Sequence, residues 1–490
     1  MRGISNILGL AIAIAVLAVQ HAVQAAPTPA VAAGIPLAFT PPLRAEGRDF
    51  VDAENRVVIL RGFNVAGRAK IPPFRSITDP SQLDPLPKWG VNAVRLLFTW
   101  EAYEGGGPGK IDDGYMQYYL SLIDELYKRG IATIVDLHQD SYSRWINGGC
   151  GDGFPEWTNG PDITKKQPKN DKSCSSWGSA QYLDGNFHSA WDSFWKNKYG
   201  ARSAFLAMLK RVATATAHRP GVIGFDLINE PTGDEIPQFV PFYRDAAAVV
   251  RAIHPTTLLF LEPAGLTASG LTGSKLNGDG LRDLTNIVYA PHFYDPTATA
   301  GIWLGVQPGP TVKRYQQEAA KWGPTIAVSN SSSVVAAGGV PMLVGEFGAP
   351  EASANYIRAF YDGLDANFAS AMQWQFEPLW DAVNKDGWNV EDFSVFALNK
   401  TRRNFVPRPY LQAVTGIPIL FTISGTTISV QWTQKQATSE TLIHVPNLSA
   451  SATVTSTGAV AAQCTVDVAA LKVRCKSTGT GKIAISIQTK

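Results

Sequence analysis

Two short stretches hold carboxylates in settings that could do acid–base or nucleophilic chemistry. The first is Val222-Ile223-Gly224-Phe225-Asp226-Leu227-Ile228-Asn229-Glu230-Pro231. It starts as an apolar run with the character of a buried strand. Pro231 has no N–H to offer a ladder, so the chain must turn there. A carboxylate at such a strand end is poorly solvated, which raises its pKa and suits a proton donor at neutral pH. The competing reading of Glu230 is a strand-end glutamate held in a salt bridge. The second stretch is Val344-Gly345-Glu346-Phe347-Gly348. Two carboxylates in different environments are what glycoside hydrolysis needs. One protonates the leaving oxygen, and the other attacks the sugar or activates a water.

Strand and helix signals alternate along most of the chain, and these elements must position the pair. Strands are expected at Val57–Asn64, Ala93–Phe98, Ala132–Leu137, Val222–Ile228, Leu258–Leu261, Ile287–Ala290, Met342–Gly345 and Ala371–Gln375. Amphipathic stretches between them include Tyr115–Lys128, Ser203–Thr216 and Phe239–Ile253. Eight short apolar strands separated by helices predict an α/β fold, a (β/α)8 TIM barrel over residues 45–415. A doubly wound open sheet is the rival. Polar residues argue for the barrel, because they recur at the strand C-termini, the rim where barrels build their sites. Arg95 lies near the end of the second strand, His138 ends the third, and Asn229 and Glu230 end the fourth. His292 and Tyr294 end the sixth, Glu346 ends the seventh, and Trp374 lies in the eighth. Singly, each could be a satisfied hydrogen-bond partner. Barrel closure would bring all of them to one rim.

On that rim, Arg95 beside Glu346 would keep it ionised and nucleophilic, and Tyr294 could donate to it as well. Asn229 can reach a sugar 2-hydroxyl, and Trp374 offers a floor on which a sugar can stack. The expected separation of the two carboxyl groups is ~5–5.5 Å, the spacing of retaining enzymes. Three loops on the same face are long: Asp140–His188, Asp295–Gly339 and Phe376–Val395.

The chain has 490 residues, 45% of them hydrophobic and 10% aromatic, with a formal net charge of +2 and no long run of either sign. This excludes nucleic acid as an expected partner. Residues 1–26 read as a secretory signal: Arg2, an apolar stretch from Ile7 to Val19, and Val23-Gln24-Ala25 as a cleavage site. Residues 27–44 read as a leader. An uncleaved anchor is the alternative, and the expected location is extracellular or periplasmic. Cys150, Cys174, Cys464 and Cys475 are even in number, so two disulfides with local pairing are expected, Cys150–Cys174 and Cys464–Cys475. No Cys-x-x-Cys spacing points to a metal. Residues 416–490 lose helical periodicity and alternate as strands at Ile428–Trp432 and Lys482–Ile487. They read as an antiparallel β-sandwich. A carbohydrate- or membrane-binding module and a structural buttress are the two roles open to it.

The set Arg95, His138, Asn229-Glu230, His292, Tyr294, Glu346 and Trp374 resembles glycoside hydrolase family 5 across the barrel. The resemblance implies a retaining mechanism with Glu230 as acid/base and Glu346 as nucleophile. A finer similarity, to the endoglycoceramidases, rests on three stretches: Leu60–Lys70, Asp136–Ser143 and Trp191–Trp195. Those enzymes release an intact glycan from ceramide. The similarity implies that Lys70, Asp140 and Trp195 hold the sugar nearest the lipid. From the residues alone, Lys70 reads rather as a solvated loop cation and Trp195 as a helix packing residue. The loop Phe376–Val383 and the Cys150–Cys174 insertion depart from the family pattern.

The expected activity is hydrolysis of the glycan–ceramide bond, by a monomer, with no cofactor. A glycolipid or oligosaccharide is the partner, with transient contact to a membrane surface. Ile302–Val306, Val334-Val335 and Leu379-Trp380 are loop hydrophobics that could form the apolar groove or pack the loops. Alternatives are an endo-β-glucanase or mannanase, a β-glucosidase of steryl or other glycolipids, and a non-catalytic carbohydrate-binding protein. A polysaccharidase should have an open cleft with aromatic subsites on both sides of the glutamates. A glycolipid hydrolase should be polar on one side and apolar on the other.

Overall fold

Eight parallel strands are laid down in sequence order and curl until the sheet meets itself. They are β1 (Arg61–Val65), β2 (Ala93–Thr99), β3 (Ala132–His138), β4 (Val222–Asp226), β5 (Leu258–Leu261), β6 (Ile287–Tyr289), β7 (Leu343–Phe347) and β8 (Ser370–Phe376). β8 pairs with β1, and β5 with β6. Closure falls on the sixth strand, which Pro291 interrupts. Ile287–Tyr289 pairs with β5, and the continuation His292–Phe293 pairs with β7. A bridge from Tyr289 to Met342 joins the remaining edge. The result is the TIM barrel that the alternating pattern predicts. The computed structural model of the protein describes residues 34–270, 272–322, 339–397, 400–435 and 439–489. The expected signal segment 1–26, the first part of the leader, and Val334-Val335 lie outside the described residues. No helix among the described residues is long and apolar enough to cross a membrane.

Local sequence explains the helices. Asp112 caps α1 (Asp113–Lys128) by accepting from the Tyr115 N–H at 2.9 Å. Its buried face is Tyr115, Tyr119, Leu122, Ile123 and Leu126. α2 (Gly185–Trp195) starts on Asp184, α3 (Ala201–Thr216) buries Phe205, Met208, Leu209 and Val212, and α4 (Val240–Arg251) buries Phe242, Tyr243 and Val250. The barrel interior has two chemical layers. Its lower part is apolar, with Leu60, Ile134, Phe260, Val288, Leu343 and Met372 packed against Phe39 and Phe50 from the N-terminal segment. Its upper part is polar, and that layer is the site.

The C-terminal strands form two antiparallel sheets. One has four strands: β10 (Gly416–Ser424), β11 (Thr427–Gln434), β13 (Thr453–Ser456) and β16 (Gly481–Gln488). The other includes β9 (Tyr410–Val414), β12 (Thr441–His444), β14 (Gln463–Asp467) and β15 (Lys472–Lys476). Three strands from the N-terminal side, Arg44–Glu46, Asp49–Val51 and Val57–Val58, complete this second sheet. The run expected as one strand, Val57–Asn64, therefore serves two sheets. Val57–Val58 pairs with β9, and the chain then enters the barrel at Arg61. Trp432 is buried between the sheets and donates to Gln434 Oε1 at 2.7 Å, so it offers no surface platform. Both expected disulfides are present, Cys150–Cys174 and Cys464–Cys475, the latter across β14 and β15.

Candidate active site

Arg95 is the centre of the polar layer. Strand register sets it beside Asn64 on β1, and inward alternation aims it up the barrel axis. Its guanidinium is fully buried and meets four carboxylates: Glu346 at 2.7 Å, Asp226 and Glu262 at 2.8 Å, and Asp136 at 2.9 Å. It also donates to Asn229 Oδ1 at 2.8 Å and Asn64 Oδ1 at 3.1 Å. A planar cation with five donors is suited to such a hub, since every partner is out of water and needs a proton to accept.

Glu346 takes Arg95 on Oε1 and the Tyr294 hydroxyl on Oε2, at 2.7 Å in each case. Both of its oxygens are therefore fixed by donors. Glu230 is treated differently. Burial raises its carboxyl above the usual range, the negative charges of Glu346 and Asp140 push the same way, and His292 opposes them without reversing the shift. His292 lies between carboxylates, with Nδ1 2.9 Å from Glu230 and Nε2 3.2 Å from Glu262. Burial disfavours its charge, but Glu262 and Glu346 outweigh burial and hold it protonated well above the ordinary histidine range. One oxygen of Glu230 and one of Glu346 lie within 4.8 Å of each other.

The backbone at Glu230 is strained, with φ of 37° in a region that side chains rarely occupy. Its N–H donates to Glu262 Oε2 at 2.7 Å, and Gln139 Nε2 holds the Asn229 carbonyl at 2.7 Å. Gly265 packs close opposite, where a Cβ would come 3.0 Å from the Glu230 Cβ and carbonyl oxygen. Asn229 is tied at both ends, accepting from Arg95 and donating to the Gln139 carbonyl at 2.9 Å.

A second polar group sits beside the first. Lys70 is buried, pairs with Asp140, and lies 3.9 Å from Asp152. Its ammonium is sandwiched 4.2 Å from the rings of Trp374 and Trp388. Burial would lower its pKa, but Asp140 and Asp152 more than compensate. His138 bridges the two groups, 2.8 Å from Asp136 and 3.4 Å from Asp140, and its ring stacks on Trp374. Burial alone would lower it, but Asp136 carries it up to about 10. Burial and the neighbouring Asp140 push Asp152 well above the usual carboxylate range. His138, Asp140 and Asp152, and likewise Glu230, His292 and Glu346, have the spacing of metal ligands. In the first set Lys70 already provides the cation. In the second both His292 nitrogens face carboxylates.

These residues open onto a cavity of about 780 Å³. The loops after β1, β3 and β8 give it a largely polar lining: Lys70, Asp140, Gln181, Asn389 and Glu391, with Trp374 and Phe393. Residues 175–179, which follow the Cys150–Cys174 insertion, join this side, and Trp177 packs on Trp388 at 4.9 Å. The loops after β5, β6 and β7 give it a largely apolar lining: Leu266, Ala268, Pro296, Ala300 and Pro350. Glu230, Tyr294 and Glu346 also line it.

Of the eleven residues singled out for chemistry, Lys70, Asp140, Glu230, Tyr294, Glu346 and Trp374 line the cavity, and Arg95, His138, Asn229 and His292 bond to or pack on them or their neighbours. Trp195 does not line the cavity and stands apart from this network. It stacks on Trp191, packs on Phe239, and donates to the Thr232 carbonyl at 2.8 Å, bracing the turn after Glu230. Leu379-Trp380 also lies away from the cavity, with Trp380 beneath the Arg402 guanidinium. Sequence reasoning missed Asn64, Asp136, Asp226, Glu262, Asp152, Trp388 and Glu391. Asp136 carried a usable signal, since it stands two residues before His138 inside an apolar strand and so shares its inward face.

The Cellulase (glycosyl hydrolase family 5) sequence model matches residues 51–379. The chain is similar to endoglycoceramidase I of Rhodococcus hoagii, 27% identical over 426 residues, covering 83% of this chain and 80% of the relative. Its fold is similar to that of endo-glycoceramidase II from Rhodococcus sp., with a TM-score of 0.72 and 22% identity, covering 90% of this chain and 99% of that one. Sterylglucosidase 1 of Cryptococcus neoformans is similar to the same degree in fold, with a TM-score of 0.72 and 17% identity over 91% of this chain and 97% of that one. With the family matched across the barrel and two glutamates facing one cavity, the chain belongs to glycosyl hydrolase family 5 and is a glycoside hydrolase.

Proposed function

We propose that this chain is a secreted, retaining β-glycosidase that cleaves between the glycan and the ceramide of glycosphingolipids. One observation carries the reading. The glutamate pair lines a single cavity whose walls are largely polar on the loops after β1, β3 and β8 and largely apolar on those after β5, β6 and β7. The names of the endoglycoceramidase relatives support it. In this reading the glycan lies against Lys70, Asp140 and Trp374, and the lipid leaves past Leu266, Pro296 and Ala300. Glu346 attacks the anomeric carbon, and Glu230 gives its proton to the departing oxygen. A water then releases the glycan, with Glu230 acting as base. One oxygen of each glutamate lies within 4.8 Å of the other's, a close approach that suits the acid–nucleophile pair of a retaining enzyme.

Thr299 and Ala300 line the apolar side, and the irregular segment that follows exposes Ile302, Leu304 and Val306 at 68%, 71% and 65%. In the proposal these three touch the lipid surface while one substrate is drawn in. Export agrees with the N-terminal 1–26 segment and with two disulfides, which persist in oxidising compartments.

The test is a panel: a ganglioside, glucosylceramide, galactosylceramide, a steryl glucoside and a soluble β-glucan, with products identified by mass spectrometry. Intact oligosaccharide plus ceramide is expected. Sterol release alone would replace the lipid assignment, and cello- or manno-oligosaccharides alone would overturn it. Glu230→Gln should separate the steps. On a glycolipid, kcat/KM falls about 10²–10⁴-fold, the worth of a general acid. On a dinitrophenyl glycoside, whose leaving group needs no proton, kcat/KM changes little. Equal losses on both substrates would remove Glu230 from the acid role. The raised Glu230 carboxyl also sets a sign: wild-type kcat/KM on a glycolipid falls as pH rises through it, and this limb is absent in Glu230→Gln.

A further inference from the structure

Glu391 lies on the polar side of the cavity, on the loop after β8, and no step above uses it. Its carboxylate is clamped on one side only. Oε2 accepts from Trp374 Nε1 at 2.8 Å and from Gln375 Nε2 at 3.3 Å. The backbone beneath is fixed too, since the Glu391 N–H donates to Asp386 Oδ1 at 3.2 Å and Asn389 Oδ1 at 3.1 Å. Oε1 accepts no hydrogen bond among the described residues. Oε1 is not sealed from solvent, so a ligand hydroxyl in the cavity can reach it.

Geometry says which hydroxyl. The indole N–H lies in the plane of the ring, so Glu391 stands at the edge of the Trp374 platform. A pyranose stacked on an aromatic face projects its equatorial hydroxyls outward over that edge. We propose that Glu391 is a sugar-binding residue that fixes the Trp374 ring plane through Oε2 and takes an equatorial hydroxyl of the stacked sugar through Oε1. The inference rests on the reading of this cavity as the glycosidase site and deepens it: it gives the chain a recognition element for gluco-configured pyranoses. Burial and Asp386 push the Glu391 carboxyl up to about 8, with Lys70 opposing. The contact proposed is that of the ionised carboxylate, in which Oε1 accepts from the sugar hydroxyl, a role the glutamine N–H cannot fill.

The experiment is a cycle of two changes. Wild type and Glu391→Gln are assayed on 2,4-dinitrophenyl β-glucoside and on its 3-, 4- and 6-deoxy forms. Glutamine can still accept from the indole N–H but presents different chemistry to the sugar. The expected result is a drop in kcat/KM on the parent glucoside of about 10- to 100-fold. One deoxy position should cost wild type a similar factor and cost the variant almost nothing more. If each deoxy loss multiplies with the loss from Glu391→Gln, the residue only braces Trp374 and the proposal fails. An unchanged kcat/KM in the variant also overturns it. Should Glu391→Gln fold poorly in a thermal scan, Glu391→Asp runs through the same cycle with the same outcomes. Failure here is separable from failure of the glycolipid reading, because the aryl glucosides carry no lipid and the panel above carries that question.

Discussion

Glu346→Gln should leave a folded protein that turns over its substrate roughly 10⁴-fold or more slowly, the scale on which loss of a covalent nucleophile is felt. The site explains why the loss is so large and the fold is spared. Glu346 stands on β7 with Arg95 donating to one oxygen and Tyr294 to the other. Glutamine has the same shape. Its carbonyl can take Arg95, and its amide can donate to the Tyr294 oxygen, which turns from donor to acceptor. What is lost is the negative oxygen that would bond the anomeric carbon. Glycolipid binding should persist, because the polar wall at Lys70, Asp140 and Trp374 is untouched. The check is steady-state turnover beside a thermal unfolding scan and a binding titration. Azide offers a second reading: in Glu346→Ala it should restore turnover by filling the emptied space and attacking in place of the carboxylate. Turnover within tenfold of wild type in the glutamine variant would remove Glu346 from the nucleophile role.

Arg95→Met is expected to cost the most stability. The side chain pairs with Asp136, Asp226, Glu262 and Glu346 at once, all inside the barrel. Removing the cation strands several buried negative charges, and breaking even one buried pair costs about 3–5 kcal/mol. Equilibrium unfolding in denaturant reads this directly. The pH dependence carries a sign. Burial, together with Glu262, lifts the Asp226 carboxyl well above the usual aspartate range even with Arg95 opposing it. Without Arg95 the lift grows. Between the unfolded and folded pKa the folded state then binds more protons, so stability falls as pH rises through that window. The deficit of Arg95→Met relative to wild type should narrow on acidification. A variant as stable as wild type at neutral pH would show that Arg95 is not the hub.

The barrel was legible because its strands are apolar, short and evenly interleaved with helices. The polar residues at the ends of β3, β4 and β7 marked the rim, since buried strand ends rarely carry such side chains without use. What escaped was the layer beneath. Asp226 stands inside an apolar run whose only advertised feature was the terminal Asn-Glu-Pro, and β5 is so short that Glu262, its next residue, drew no attention. These residues do not face solvent or substrate. They face Arg95, and partnership across a barrel leaves no mark in local sequence. The split of Val57–Asn64 between two sheets escaped for a related reason, because both halves have the same β pattern and only tertiary pairing separates them. Trp195 shows the reverse. Trp191 and Trp195 are four residues apart on α2, a spacing that stacks them on one buried face, so helical periodicity already favoured packing over sugar contact.

The two-sided cavity and the closely spaced glutamates make one joint claim: the glycan leaves ceramide intact, by double displacement. Proton NMR of the first turnovers on lactosylceramide in detergent micelles tests both halves in one tube. The account predicts free ceramide with β-lactose appearing first and the α-anomer growing in only by mutarotation. Release of α-lactose first, or of galactose with glucosylceramide left behind, would contradict it.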